Sequence, residues 1–231
     1  MNVDPHARPP SPLVGVLALQ GGFEAHARML RRLGADVREV RTPAELEGLD
    51  GLVIPGGEST TMTLGIEREG LAEPLRELIG GAPTLAPGPS SSAAGDDIPK
   101  QVPARDGRAG DGVPVLGSCA GLILLDRDHL GLMEMRARRN AFGRQIKSFE
   151  AEVPMRGIDG PPLRGIFIRA PWIAEHGPHV EILAEVDGHA VAAREGNRLA
   201  VAFHAELTGD DRLHRLFLVA VARRRASVVG D

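Results

Sequence analysis

Short apolar segments that lead directly into glycine-rich turns are the feature that most constrains the fold of this chain. Residues 13–20 (LVGVLALQ) are nearly all apolar and are followed by two glycines, and Gly51–Ile54 is followed by a Pro-Gly-Gly sequence. A strand is apolar along its whole length when helices cover both faces of its sheet, as in parallel sheets. We therefore expect central strands of a parallel sheet at both segments.

Amphipathic helical patterns alternate with these strands. Residues 24–33 place Ala27, Leu30 and Leu33 on one face and end at Gly34, which predicts a helix. The alternation predicts an α/β fold, namely a single-domain, three-layer sandwich with a mostly parallel central sheet flanked by helices. The other elements predicted in this half are a strand at 37–40, a helix capped by Ser59 and Thr60 that continues to Ile66, and a helix at 74–79.

The second half of the chain resumes these signals after an irregular stretch. Residues 84–112 are rich in Pro, Gly, Ser and Ala and lack periodicity, so we expect a flexible inserted loop. The domain is expected to span 13–226, with a disordered tail at 1–12 and a C-terminal tail at 227–231. The elements predicted after the loop are strands at 113–116, 146–153, 165–168, 180–185, 190–194 and 199–203, and helices at 122–126 and 211–224.

The composition excludes several classes of function. Lys and Arg number 27 against 31 Asp and Glu, so no basic excess points to nucleic acid. No apolar stretch approaches the ~20 residues that a membrane span needs. One cysteine, one tryptophan and no tyrosine exclude an intrachain disulfide framework, a multi-cysteine zinc site and an aromatic platform for single-stranded nucleic acid. Because residues 1–12 lack a signal-peptide pattern, we expect a cytoplasmic protein.

The single cysteine lies in the strongest local motif of the chain. Cys119 occupies the centre of a Gly-Ser-Cys-Ala-Gly sequence between a predicted strand and a predicted helix, the pattern of a nucleophile elbow. The start of the helix favours the thiolate, and its first free N–H groups face the place where an oxyanion would form. The alternative is a small buried core cysteine. The flanking glycines favour the nucleophile, because side chains there would clash with the sheet or the helix.

A thiolate nucleophile needs a base, and His204 with Glu206 is the candidate pair. The two residues follow a predicted strand, where side chains at i and i+2 share a face, so Glu206 can orient His204. For an isolated His-x-Glu sequence, a solvated pair at a strand end is the simpler interpretation. The zinc deaminase signature also begins with His-x-Glu but needs a Pro-Cys-x-x-Cys sequence that this chain lacks. His176 and His179 are interpreted as surface residues, and no metal site is expected.

The Pro-Gly-Gly-Glu-Ser-Thr sequence at 55–60 is a third candidate element. Two glycines at a strand-to-helix junction let the backbone approach a ligand closely. A free N–H at Gly57 can then form an oxyanion hole together with the N–H of Ala120. Taken alone, the sequence is equally well interpreted as a tight turn with a helix cap.

Six motifs in a fixed order connect these elements to a known family. The motifs are GGEST after the third strand, GSCAGL at the elbow, RRNAFGRQ at 138–145, SFEAEV at Ser148–Val153, FIRAP at 167–171 and FHAELT at 203–208. With these motifs the chain closely resembles the glutaminase subunits of pyridoxal 5'-phosphate synthase, which are class I (triad-type) glutamine amidotransferases. The resemblance covers about 13–224 except the long loop, and RRNAFGRQ with SFEA separates this family from other amidotransferases.

The resemblance implies both a fold and a set of roles. It implies a flavodoxin-like amidotransferase fold and a triad with Cys119 as nucleophile, His204 as base and Glu206 as orienting residue. Ammonia would pass to a barrel-shaped synthase subunit within a large ring-shaped hetero-oligomer, and no cofactor or metal is expected in this subunit. By the same resemblance, L-glutamine would be held by Gly57, Glu58, Ser59, Arg139, Ile168 and Arg169.

Three departures from the family pattern keep other functions open. The family usually has proline where this chain has Ala205, the region 125–132 is shorter than usual, and 84–112 is inserted. One alternative is a catalytically weak docking or regulatory subunit of the same synthase. Another is a stand-alone DJ-1-like cysteine hydrolase, against which the ordered glutamine-pocket motifs argue.

Overall fold

The computed structural model describes residues 10–81, 112–139 and 148–229. Most elements lie close to their predicted positions, since their apolar segments are buried in one continuous core. The strands are β1 Leu13–Leu17, β2 Asp36–Val40, β3 Gly51–Ile54, β4 Val115–Ser118, β5 Met135–Arg138, β6 Ser148–Val153, β7 Leu163–Ile168, β8 Trp172–His176, β9 Glu181–Val186, β10 His189–Glu195 and β11 Arg198–Val201. The α-helices are α1 Phe23–Arg32, α2 Ser59–Arg68, α3 Ala72–Gly80, α4 Ala120–Leu125 and α5 Arg212–Val229.

A parallel block forms the centre of the main sheet. Its strands lie in the order β2-β1-β3-β4-β11, and every neighbouring pair is parallel. The all-buried patterns of β3, β4 and β11 are those of strands covered on both faces. The predicted α/β fold with flanking helices is therefore confirmed.

Helices cover both faces of this block. The connection through α1 moves from β1 outward to β2, whereas the connection through α2 and α3 moves the opposite way, from β3 to β4. Because parallel crossovers are right-handed, the two connections place their helices on opposite faces. α5 joins the α1 face, where His26 and His214 are in contact, and α2 packs against α4. The result is the expected three-layer arrangement.

An antiparallel extension makes the complete sheet mixed. β10 pairs antiparallel with β11, β9 and β8, and β8 pairs antiparallel with β5. Two of these strands, β5 and β8, were not predicted, because neither is a continuous apolar segment: two of the four residues of β5 are arginines, and β8 ends in Glu175 and His176. β6 and β7 form a separate antiparallel hairpin, in which Phe149 stacks on Phe167 at 4.6 Å between ring centroids.

Several predicted boundaries are wrong. β11 ends at Val201 instead of 203, and α4 begins at Ala120, directly after the cysteine, instead of at 122. α5 continues to Val229, beyond the predicted end of this helix at 224 and into the segment expected to be a C-terminal tail. The sequence explains this extension, because no glycine or proline occurs between Arg212 and Gly230.

Some predictions concern parts of the chain outside the described residues. These are the tail at 1–12, apart from its last three residues, and the loop at 84–112, apart from Gly112. Within the described ranges, no helix is long and apolar enough to cross a membrane.

Candidate active site

The carboxyl ends of four neighbouring parallel strands meet at one edge of the sheet. Gly21 follows β1, Gly56 follows β3, Cys119 follows β4 and His204 follows β11. In open α/β sheets, ligands bind outside the carboxyl ends of the strands, where the chain order reverses. This edge therefore is the candidate site.

Cys119 lies on a sharp turn between β4 and α4, as the sequence predicts. Its φ of 50° and ψ of −102° are rare for a residue with a side chain and indicate local backbone strain. The flanking glycines are required by space. A Cβ on Gly117 would lie 2.8 Å from the carbonyl oxygen of Gly121, and a Cβ on Gly121 would lie 2.1 Å from the carbonyl oxygen of Ile54.

His204 and Glu206 form a buried pair beside the cysteine. The distance from His204 Nδ1 to Glu206 Oε1 is 2.7 Å. The backbone N–H of His204 donates to the backbone carbonyl of Ile166 at 2.8 Å. The predicted mechanism of this pairing, alternation along a strand, is wrong. β11 ends before His204, and a 3₁₀ turn at Ala205–Leu207 brings the carboxylate back to the imidazole. Alanine in place of the usual proline at 205 is compatible with this geometry.

The site carries a strongly perturbed histidine. Burial acts to lower the pKa of His204, but hydrogen bonds with Cys119 and Glu206, and the charges of both groups, outweigh it and raise the pKa to about 10. Burial acts to raise the pKa of Glu206, but the neighbouring His26 ring, and the hydrogen bond and charge of His204, lower it. An imidazolium on His204 beside an ionised Glu206 carboxylate is therefore the favoured charge state of this pair near neutral pH.

The turn after β3 passes directly over His204 and Cys119. A Cβ on Gly56 would lie 2.2 Å from Cε1 of His204 and 3.1 Å from Cβ of Cys119, so only glycine fits here. The Gly56 carbonyl accepts a hydrogen bond from the Gly22 N–H at 3.0 Å. The next residue, Gly57, lies against Gln20, whose amide Nε2 would be 2.4 Å from a Cβ at that position.

Glu58, and not Ser59 or Thr60 as predicted, caps α2. Its carboxylate accepts hydrogen bonds from the N–H groups of Thr60 at 3.1 Å and Thr61 at 2.7 Å. The hydrogen bonds from Thr61 and Thr60 lower the pKa of Glu58 to about 2. Arg139 reaches the same place, with Nη2 3.4 Å from Glu58 Oε1 and 3.2 Å from Thr60 Oγ1.

The other residues predicted to bind glutamine or to form the oxyanion hole lie around this edge. Ser59 is buried at the start of α2, and Ala120 is the first residue of α4. Ile168 is the last residue of β7, and 39% of its surface is exposed. It lies two residues after Ile166, whose carbonyl accepts the hydrogen bond from the backbone N–H of His204. Arg169 follows in a left-handed conformation, with φ of 46°.

Two buried histidines were missed by the sequence analysis. His26 of α1 and His214 of α5 are each fully buried and lie 2.9 Å apart between Nδ1 and Nε2. Their burial could have been predicted from their spacing to apolar residues of the same helix, since His26 shares a helix face with Leu30, and His214 shares one with Phe217. His176 and His179 are exposed, as predicted. Over 10–81, 112–139 and 148–229, no group of three or more His, Cys, Asp or Glu side chains is placed to hold a metal ion.

Comparison with known proteins decides the family. The profile of the SNO glutamine amidotransferase family matches residues 16–89 and 104–223. The chain belongs to this family. The pyridoxal 5'-phosphate synthase subunit PdxT of Streptomyces coelicolor is 43% identical over 226 residues and is matched over 94% of this chain and 97% of that protein.

Two further relatives agree with the SNO family assignment. The pyridoxal 5'-phosphate synthase subunit PdxT of Mycolicibacterium vanbaalenii is 44% identical over 224 residues, with 92% of this chain and 99% of that protein covered. A crystal structure of a glutamine amidotransferase is 37% identical and superposes with a TM-score of 0.72, covering 90% of this chain and 98% of that one. The chain is thus an SNO-family glutamine amidotransferase by sequence and by fold.

The coupling between His204 and Cys119 predicts a measurable shift. In the Cys119→Ala variant, the hydrogen bond and the thiolate charge are lost, so the pKa of His204 should fall from about 10 towards the ordinary value of about 6.5. An NMR titration of the ring nitrogens, with His204 assigned by the His204→Asn variant, measures this change. Cys119→Ser, which keeps a hydrogen-bonding atom without the charge, should give an intermediate value. Equal pKa values in wild type and Cys119→Ala would show that the two groups are not coupled.

Proposed function

We propose that the protein hydrolyses L-glutamine to L-glutamate and ammonia through a triad of Cys119, His204 and Glu206. The observation that carries the proposal is the buried His204–Glu206 pair, joined at 2.7 Å, next to the strained cysteine that follows the neighbouring strand. This arrangement has a nucleophile, a base and a group that orients the base. Membership of a glutamine amidotransferase family and relatives named as pyridoxal 5'-phosphate synthase subunits support the same reaction.

The proposed reaction proceeds in two steps through a thioester. The Cys119 thiolate attacks the side-chain carboxamide carbon of glutamine and forms a tetrahedral oxyanion. The His204 imidazolium gives its proton to the departing nitrogen, so that the C–N bond breaks and ammonia leaves. His204, now neutral, takes a proton from water, whose oxygen attacks the thioester and releases glutamate and the thiolate. Glu206 keeps the ring in the orientation that both proton transfers need.

The oxyanion would be held by backbone N–H groups of Gly57 and Ala120. Ala120 follows the nucleophile and begins α4, where free N–H groups are available. The Gly56–Gly57 peptide is tied by its carbonyl to the Gly22 N–H at 3.0 Å. A flip of this peptide breaks that bond and turns the Gly57 N–H in the opposite direction, which gives the site a device for gating its activity.

The charges beside the triad are complementary to a free amino acid. Arg139 offers a guanidinium for the α-carboxylate of glutamine. Glu58, held as a carboxylate by the start of α2, offers the opposite charge for the α-ammonium group. Gly57 and Ser59 line the turn, and Ile168 with Arg169 borders the site from the end of β7. We assign these residues to glutamine binding.

The ammonia formed at Cys119 is proposed to serve a partner. Relatives across more than nine-tenths of this chain are named as subunits of pyridoxal 5'-phosphate synthase, and such a name implies other subunits that consume the product. We therefore propose delivery of ammonia to a barrel-shaped synthase subunit in a large ring assembly, for the synthesis of pyridoxal 5'-phosphate. The glutaminase subunit itself needs no cofactor for this chemistry.

Substitutions in the triad test the reaction. Cys119→Ala should abolish glutamine hydrolysis and leave the fold intact, because the thiolate is the nucleophile. His204→Asn should cost about as much activity, because triad members act as a unit. Ammonia release from glutamine, compared with circular dichroism of each variant, measures both effects. A folded Cys119→Ala protein with near wild-type turnover would contradict the triad.

The partner is expected to switch on the reaction. Loss of one oxyanion donor typically costs ~10²–10³ in rate, so a misoriented Gly56–Gly57 peptide is sufficient to keep the free chain nearly silent. Ammonia release should rise by this order when the cognate synthase subunit is added. Gly57→Val should lower activity in both states, because its side chain would collide with Gln20.

Two outcomes of the partner experiment contradict parts of the account. Full activity of the isolated chain would rule out gating by the peptide but leave the triad standing. No hydrolysis with or without the synthase subunit would favour the catalytically weak docking subunit.

A further inference from the structure

A row of buried polar side chains in contact with one another extends from the triad into the protein. Ser118, His26 and His214 are each fully buried, and Glu206 is 7% exposed. Nε2 of His26 lies 3.0 Å from Ser118 Oγ and 3.5 Å from Glu206 Oε2, and Nδ1 of His26 lies 2.9 Å from Nε2 of His214. His26 therefore contacts the last residue of β4, directly before the nucleophile, and also the carboxylate that faces His204.

The second oxygen of the Glu206 carboxylate determines which ring nitrogen of His26 carries the proton. Oε1 is bound to His204, whereas Oε2 is buried and has no hydrogen-bond partner within the usual distance among the described residues. The imidazole of His26 is the polar group that faces Oε2, at 3.5 Å. A carboxylate only accepts hydrogen bonds, so an Nε2–H group is attracted to it, and an Nε2 lone pair is repelled.

The contact between the two rings favours one arrangement of protons, whereas the Ser118 hydroxyl can accept from or donate to Nε2 of His26 and fits either arrangement. If His26 carries its proton on Nε2, Nδ1 must accept, and Nε2–H of His214 donates to it. Nδ1 of His214 then carries a lone pair and no proton, which fits its lack of a hydrogen-bond partner. In the reverse arrangement, Nδ1 of His214 would be an N–H donor buried without an acceptor, which is the costlier defect.

Both rings are held in the neutral state. Burial lowers the pKa of His26, with Glu206 raising it and His204 lowering it to a lesser extent. Burial, with a further contribution from the neighbouring His26 ring, lowers the pKa of His214 to about 3, against the smaller raising effects of Glu206 and Asp211. Each ring therefore carries one proton near neutral pH, and its position is a defined property of the site.

We propose that His26 is a positioning residue of the triad: its Nε2–H group lies between Ser118 Oγ at 3.0 Å and the outer oxygen of the Glu206 carboxylate at 3.5 Å and attracts that oxygen, and His214 fixes the ring in the tautomer that has this proton. Glu206 is then oriented from both sides, by His204 at Oε1 and by His26 at Oε2. The same N–H group contacts Ser118, so it ties the turn after β11 to the nucleophile turn after β4. The proposal rests on the proposed glutaminase reaction.

Paired substitutions separate the N–H donor from the bulk of the side chain. His26→Gln keeps an N–H donor near the position of Nε2, whereas His26→Leu keeps the volume and removes the donor. With the full chain and the cognate synthase subunit, His26→Leu should lower kcat for glutamine hydrolysis about 10²-fold, the cost of a misplaced catalytic group. KM should stay unchanged, because His26 lies behind the triad and not beside glutamine. His26→Gln should recover most of kcat.

The pH profile gives a readout that a packing role would not move. The titratable groups facing His26 are Glu206 and His204 from the segment after β11 and His214 from α5. Without the N–H donor, the pKa of Glu206 rises, so the acid limb of kcat/KM in His26→Leu should move to higher pH. Melting temperatures of all variants control for stability.

The tautomers can be read directly without any assay of activity. Long-range ¹H–¹⁵N NMR spectra of the full chain should show His26 and His214 each neutral and protonated at Nε2, with assignments from His26→Gln and His214→Gln. His214→Leu removes the donor to Nδ1 and should convert part of His26 to the other tautomer.

The outcomes distinguish this proposal from the proposed function. A folded His26→Leu variant with wild-type kcat and pH profile overturns the positioning role, as does a proton on Nδ1 of His26 in wild type. Nε2 protonation in a protein that never hydrolyses glutamine supports the arrangement inferred for His26 and overturns the glutaminase reaction. If His26→Leu does not fold, the comparison of His26→Gln with wild type and the tautomer spectra decide the question.

Discussion

Close packing against glycines at the ends of four strands is the constraint on which the site depends. Gly21 after β1 touches the carbonyl of Gly56 after β3, where a Cβ would lie 1.9 Å away. Gly56 in turn lies against His204 and Cys119, and Gly121 lies against the carbonyl of Ile54. Each contact is possible only without a side chain. The glycines therefore bring the nucleophile, the base and the turn above them within reach of one another.

Electrostatics then makes this crowded edge reactive. His204 and Glu206 are almost completely buried, and burial by itself penalises both charges. Each charged group keeps partners that favour its ionised form, namely Cys119 and Glu206 for His204, and His26 and His204 for Glu206. The rings beneath, His26 and His214, lack comparable compensation and are driven to the neutral state. The charged groups are thus members of the proposed triad, and the buried histidines behind them are neutral.

The sequence predicts best where a residue's local environment is decided by its neighbours in the chain. The buried strand β3 and the position of Cys119 between a strand and a helix followed from apolar runs and glycines alone. Features that depend on distant segments were missed or mistaken. β5 and β8 form at an antiparallel edge that local pattern does not show, and a 3₁₀ turn, not a strand, pairs Glu206 with His204. The contact between His26 and His214 joins residues that are 188 positions apart, so no local signal reveals it.

The central claim is that Cys119 takes up the glutamyl group of glutamine, and a covalent intermediate tests it most directly. The full chain is mixed with glutamine and the cognate synthase subunit, quenched in acid during turnover, digested and examined by mass spectrometry. The account predicts a thioester on the peptide that contains Cys119, with the mass of one glutamyl group added, and none in the Cys119→Ser variant at the same position. Ammonia release at the full rate with no adduct on Cys119, or with the adduct on another residue, would contradict the account.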